Sequence, residues 1–160
     1  MSELLPPFQH FLDTHSDEVF RLLVALVGPD QADDCFQETF IAALRAYPRL
    51  REDSDLRAWV LTIAHRKALD AHRASARRAI PVAEISELDR RSGPGAGEHD
   101  GRLWSAVFDL PGRQRSAVLL RCVGELAHRD IAQAIGCSEE AARRSLHEGL
   151  SKLREVLPCA

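Results

Sequence analysis

Leu126 to Leu157, LAHRDIAQAIGCSEEAARRSLHEGLSKLREVL, decides the fold class. Ile131-Ala132-Gln133-Ala134-Ile135 runs into Gly136, a residue that tolerates the left-handed conformation at which helices stop. Ser138 then offers a hydroxyl to cap a second helix. Glu139 and Glu140 occupy that helix's first turn, where the helix dipole favours acids. Ala142, Leu146, Leu150, Leu153 and Leu157 follow at spacings of three and four, which makes one apolar stripe. Arg143, Arg144, His147 and Lys152 fall mostly off the stripe. A short helix, a glycine turn and a second helix carrying free basic side chains form a helix-turn-helix, which presents side chains to a DNA major groove. The same pattern also fits an ordinary helical hairpin, and Glu139, Glu140 and Glu148 offset part of the positive charge, so the rest of the chain has to arbitrate.

Upstream, Phe8 to Val27 has a helical apolar side made by Phe8, Phe11, Leu12, Val19, Phe20, Leu22 and Leu23. Gly28-Pro29-Asp30 breaks it. A second helix runs from Asp30 or Ala32 to about Ala46 and closes before Pro48. Asp53 or Ser54 is placed to cap a third, from Leu56 to about Arg78, whose apolar positions are Trp59, Val60, Ile63, Ala64 and Ala68. Residues 79–101 are acidic and then rich in glycine and proline (Ser92-Gly93-Pro94-Gly95-Ala96-Gly97), which is linker composition. Beyond them Leu103, Trp104, Val107 and Phe108 suggest a short helix, and Arg113 to Cys122 another. The expected fold is all-α: a helical domain at 1–78, a flexible linker at 79–101, and a helix-turn-helix domain at 102–160.

Of the 160 residues 45% are hydrophobic, enough for a packed core. No apolar run reaches the length of a membrane span, and Met1 to Gln9 lacks the layout of a signal peptide. Cys35, Cys122, Cys137 and Cys159 are scattered with no CxxC pair, which fits reduced thiols in the cytoplasm rather than a disulfide frame or zinc site. The net charge of −3 is unevenly spread: residues 57–78 hold six Lys/Arg against one acid, Asp70, with His65 and His72 among them. A basic stripe on a mildly acidic chain points to DNA binding that leans on a larger partner. Enzyme classes find no support. Glu125 and His128 form a single Glu-x-x-His where a di-metal bundle needs two, and there is no phosphate loop, nucleophile elbow or Cys/His pair. No catalytic residue, metal or cofactor is expected.

Three blocks bring these features under one family. Ala32-Asp33-Asp34-Cys35-Phe36-Gln37-Glu38-Thr39-Phe40, then the helix Leu56-Arg57-Ala58-Trp59-Val60-Leu61-Thr62-Ile63-Ala64-His65-Arg66-Lys67-Ala68-Leu69-Asp70, then Leu110-Pro111-Gly112-Arg113-Gln114-Arg115 ahead of the helix-turn-helix, resemble in order and spacing the bacterial RNA polymerase sigma factors of the extracytoplasmic-function group. The resemblance covers nearly the whole chain. It implies a transcription initiation factor that binds core RNA polymerase, at the β′ clamp helices and the β flap, and directs it to promoter DNA.

Carried residue by residue, the resemblance implies that Asp34, Gln37, Glu38 and Ile41 dock on the clamp helices. Their i, i+3, i+4 and i+7 spacing puts them on one helix face, although a solvated face would look the same. It implies that Arg57, His65, Arg66, Lys67 and Arg73 hold the non-template strand of the opening −10 element, with Trp59 assigned to the core by its place on the apolar stripe. It implies that the last long helix reads the −35 element. There Glu140-Ala141-Ala142 replace the family's frequent Gly-Thr-Val, and Glu148 and Leu150 stand where Arg is often found. The −35 contacts therefore narrow to Ser138, Arg143, Arg144 and His147. Two other classes stay open at this point: a helix-turn-helix regulator that never joins the polymerase, and a degenerate sigma-like protein that does not support initiation. For the free protein, the domains are held together either by a cognate anti-sigma protein or by packing on each other.

Overall fold

The computed structural model describes residues 4–78 and 98–157. Of the expected linker at 79–101, residues 79–97 lie outside the described residues. Among these residues the chain forms seven α-helices and one short 3-10 turn, with no strand: α1 (Phe8–Val27), α2 (Pro29–Ala46), the turn Tyr47–Arg49, α3 (Leu56–Arg78), α4 (Glu98–Phe108), α5 (Gly112–Cys122), α6 (His128–Ile135) and α7 (Glu139–Val156). The all-α expectation is met, although α4 begins about one turn before the expected start of the second domain.

The first three helices pack on one another around Phe11, Val19, Leu22, Leu23, Val60 and Leu61, all essentially free of solvent. Each such aliphatic or aromatic side chain contributes about 2 kcal/mol on leaving water. Gly28 takes φ +84 between α1 and α2, and its N–H donates to the Val24 carbonyl at 2.9 Å. Pro29 follows as the first residue of α2, a position where its missing N–H costs nothing. His72 on α3 bonds the Leu26 carbonyl at 2.8 Å, so a helix-end acceptor of α1 finds a partner from across the domain. Tyr47 donates to the Pro6 carbonyl at 2.5 Å and stacks among Phe8, Phe11 and Trp59, which pins the segment leading into α1.

Two details depart from the sequence expectation. The cap of α3 is Asp55, whose carboxylate accepts from the Ala58 N–H at 3.1 Å, not Asp53 or Ser54. Phe20, expected on the buried side of α1, is exposed, while Ala25 and Leu26 are buried instead. Phe20 still meets Phe36 of α2 edge-on, with ring centroids 5.9 Å apart, so it seals the rim of the α1–α2 seam rather than its centre.

In the second half, α5 and α7 pack closely because Gly149 lies between them. A Cβ there would stand 2.7 Å from Val118 Cγ2. Arg115 donates to the Phe108 carbonyl and Arg121 to the Leu126 carbonyl, so these two basic residues brace the domain's own turns. Gly136 is left-handed at φ 79, ψ 43, and the Ser138 hydroxyl accepts from Ala141 N–H at 3.1 Å; both features were legible in the sequence. On α7, Ser145 and Gly149 join Ala142, Leu146 and Leu153 as buried positions, whereas Leu150 and Leu157 are only half-buried. The stripe is therefore rotated slightly toward the small residues, which is what the short α5–α7 distance requires.

Candidate nucleic-acid and polymerase interface

On α2 the residues that pack inward are Ala32, Cys35, Thr39, Phe40 and Ala43. Thr39 hides its hydroxyl by donating to the Cys35 carbonyl at 2.6 Å. The opposite face carries Asp34, Gln37, Glu38 and Ile41, all exposed, so the four expected docking residues form one continuous strip. Leu44 extends it by another turn and is 54% exposed beside an Ile41 at 48%. The sequence reading missed Leu44, although its place three residues beyond Ile41 is the signal that could have found it. A mixed acidic and aliphatic strip of this kind suits a basic, partly apolar helical partner. Burial raises the pKa of Cys35 above the usual thiol value, with Glu38 and Asp34 adding to the shift, so this thiol stays protonated and unreactive.

The basic residues of α3 separate into two groups. Arg66 and Arg73 are exposed, Lys67 is half-exposed, and Arg73 keeps only a loose ion pair with Asp70 at 3.8 Å. Arg57 and His65 are held by other parts of the chain. Arg57 Nε donates to Glu18 Oε1 of α1 at 2.6 Å, and its other guanidinium arm donates to the Gly124 carbonyl just ahead of α6. His65 is 1% exposed, with Nε2 at 2.9 Å from Ser116 Oγ on α5. Its Nδ1 is buried without a hydrogen bond. Burial therefore lowers the His65 pKa to about 4, opposed by the Ala134 backbone and reinforced by Arg66 and His72. In this arrangement His65 does not face solvent or a DNA strand. Trp59 packs on Phe11 at 5.7 Å between ring centroids, in keeping with its assignment to the core.

The third set lies on α7. Ser138, Arg143, Arg144 and His147 are all exposed. Arg143 pairs with Glu139 at 2.7 Å and Arg144 with Glu140 at 3.5 Å, each one turn back along the helix. These pairs hold the arginines extended along the surface in the free protein. Glu148 accepts a bond from Gln114 Nε2 of α5 at 2.9 Å, so an acid standing where family members often carry Arg serves the domain's internal bracing. Glu125, half of the lone Glu-x-x-His, sits at φ 51 in the turn before α6 and lies 3.8 Å from Arg57. Among the described residues no group of three His, Cys, Asp or Glu is placed to hold a metal, and no helix is long and apolar enough to cross a membrane.

Two helical domains, one with an exposed acidic–aliphatic strip and a basic helix and the other with a helix-turn-helix, define a DNA-binding protein built to work with a helical partner. Comparison with known proteins gives the family. Residues 11–78 match Sigma-70 region 2 and residues 101–153 match Sigma-70, region 4. The chain is 35% identical to the ECF RNA polymerase sigma factor SigD of Mycobacterium tuberculosis, over 93% of this chain and 76% of the relative. It is 31% identical to the RNA polymerase sigma factor CarQ of Myxococcus xanthus, over 94% and 88%. Its fold resembles the sigma factor RpoE of Bartonella quintana, solved with the anti-sigma factor NepR, at a TM-score of 0.73 with 20% identity over 93% of this chain and 95% of that one. It also resembles CnrH, solved with the cytosolic domain of CnrY, at a TM-score of 0.68, with 19% identity over 93% and 86%. The chain belongs to the sigma-70 family, in the extracytoplasmic-function group of RNA polymerase sigma factors. It is a transcription initiation factor that binds RNA polymerase and promoters, which sets aside the stand-alone regulator.

Proposed function

We propose a division of labour among three surfaces. The α2 strip of Asp34, Gln37, Glu38 and Ile41, continued by Leu44, docks on the β′ clamp helices of core RNA polymerase, and the second domain engages the β flap. The basic residues of α3 (Arg57, His65, Arg66, Lys67 and Arg73) hold the non-template strand as the −10 element opens. Ser138, Arg143, Arg144 and His147 on α7 read the −35 element in the major groove. The working units are residues 1–78 and 102–160, joined through 79–101. The chain's part in initiation is binding rather than catalysis, and it acts in the cytoplasm alongside the polymerase. A cognate anti-sigma protein is a further partner, a reading supported by the two solved relatives that carry one.

The observation that carries the docking role is the exposure of the α2 strip while every large apolar residue on the opposite side of that helix is buried or half-buried. Capture of purified core RNA polymerase by the tagged chain tests it. Glu38→Lys reverses the charge at the centre of the strip without touching the core, and it should cut retention roughly tenfold or more with an unchanged helical circular-dichroism spectrum. Undiminished retention would remove the strip from the docking role.

A further inference from the structure

Helix α7 carries an acid among the basic side chains of its outer face. The buried strip of the helix is Ala142, Ser145, Leu146, Gly149 and Leu153. Glu140, Arg144 and His147, spaced by four and three, share the side turned away from it, and all three are exposed. The two acids of the first turn differ. Glu139 is 46% exposed and holds Arg143 at 2.7 Å, whereas Glu140 is 86% exposed and keeps Arg144 only loosely, at 3.5 Å. Stabilising the start of the helix does not require Glu140, because the Ser138 hydroxyl caps it and Glu139 already meets the positive end of the dipole. The N-terminal residues of a reader helix are the ones that meet base edges, so Glu140 stands at the leading end of α7.

A carboxylate placed there is repelled by DNA unless it meets a hydrogen-bond donor, since it can only accept. The major groove offers two kinds of donor, the N4 amino group of cytosine and the N6 amino group of adenine. Adenine sets its amino group beside the N7 acceptor, an arrangement that suits a carboxamide, which both donates and accepts. Cytosine presents the amino group with no acceptor of its own in the groove, and it is the base that Glu or Asp fits. Guanine and thymine turn acceptors toward the carboxylate. We infer that Glu140 is a specificity-determining residue of the −35 reader: its carboxylate accepts from cytosine N4 and excludes the other bases at that position, while Arg144, one turn further on, takes guanine O6 and N7 nearby. The inference rests on the −35 role proposed for α7 and deepens it. Glu140-Ala141-Ala142 stands where the family often has Gly-Thr-Val, a run without a carboxylate, so this base preference belongs to the present chain. Much of the effect is rejection, because a charge left facing an acceptor costs more than a matched contact returns.

The test uses the holoenzyme, formed from the full chain and core RNA polymerase, on a duplex promoter whose upstream element is randomised. Bound duplexes are sequenced, and the base preference is read position by position for the wild type, Glu140→Gln, Glu140→Ala, and Arg143→Ala with Arg144→Ala. The wild type should favour cytosine at one upstream position by at least about tenfold. Glu140→Gln and Glu140→Ala should each bring that preference below about twofold by raising binding to the other three bases there, and the preferences at the remaining positions should persist. Absence of a cytosine-selecting position, or a cytosine preference that survives both Glu140 variants, would overturn the inference. So would a loss of preference spread evenly over the element, which marks a displaced helix rather than a lost base contact. The arginine variant separates this from the wider reading. If it weakens upstream binding while the Glu140 variants change nothing, the −35 role of α7 stands and only the part given to Glu140 falls. If neither the arginines nor Glu140 affects upstream selection, the −35 role falls as well.

Discussion

Helices α3 and α7 carry the side chains proposed to meet promoter DNA, yet they are kept in opposite states. On α7 the four proposed −35 residues lie open to solvent, and among the described residues Arg143 and Arg144 are restrained by acids one turn away on the same helix. On α3 two of the five proposed −10 residues are engaged by elements from elsewhere in the chain, and His65 is buried outright. The contrast teaches that the two proposed DNA-contacting helices are restrained in different ways. Helix α7 is restrained weakly, by charge, while part of α3 is covered by packing. A reader of duplex DNA loses nothing by exposure, whereas a basic face that grips single strands binds nucleic acid without regard to sequence unless it is covered.

The largest effect that would break this comparison belongs to α7. Arg143→Ala together with Arg144→Ala should weaken binding of the assembled holoenzyme to duplex −35 DNA by about 100-fold. Core capture should be unaffected, because neither residue lies near the α2 strip. Equal loss of both activities would mean that the helix-turn-helix had lost its fold.

A smaller effect sharpens the α3 side. Packed against Ser116, His65 is held neutral, with a pKa of about 4 against an ordinary 6.5, so this packing is fully supported above pH 6.5 and weakens as the pH falls toward 4. Ser116 of α5 and the Ala134 backbone of α6 face the ring across the seam, with Arg66 and His72 on its own helix, and none is an acid that could reward its protonation. Between pH 7.5 and 5.5 the packing of α5 on α3 should weaken by about tenfold. Scattering across that range checks it, and His65→Gln should flatten the dependence.

The smallest effect tests how lightly α7 is restrained. Glu139→Gln with Glu140→Gln frees both arginines from their intrahelical pairs, each of which is worth a few tenths of a kcal/mol at an exposed site. Affinity for −35 duplex DNA should rise by about two- to fivefold, most clearly at low salt, as read by fluorescence anisotropy. An unchanged affinity would mean that the acids do not compete with phosphate for Arg143 and Arg144.

What was legible in the sequence was local. The breaks at Gly28-Pro29 and Gly136, the Ser138 cap and the i, i+3, i+4 strip on α2 are properties of neighbouring residues, and each stands where the sequence reading put it. The choice among Asp53, Ser54 and Asp55 as the cap of α3 turned on a single residue's backbone, below what composition resolves. Gly149 is the place where α5 comes close, a contact that no neighbouring residue announces. His65 marks the limit of a local reading. Its basic, helix-surface context looks like a DNA contact, but its burial comes from Ser116, 51 positions further along the chain. Local periodicity cannot register a contact at that separation, and it left both self-packing and an outside partner open for the free domains.

Transcription by the reconstituted holoenzyme tests the central claim most directly. Purified chain is combined with core RNA polymerase, and run-off transcripts are mapped on fragmented genomic DNA. The account predicts discrete new start sites preceded by shared −35 and −10 elements, absent with core alone and lost with Glu38→Lys. Association with the polymerase but no defined transcript would contradict it, and would make this chain a sigma-like protein that binds without initiating.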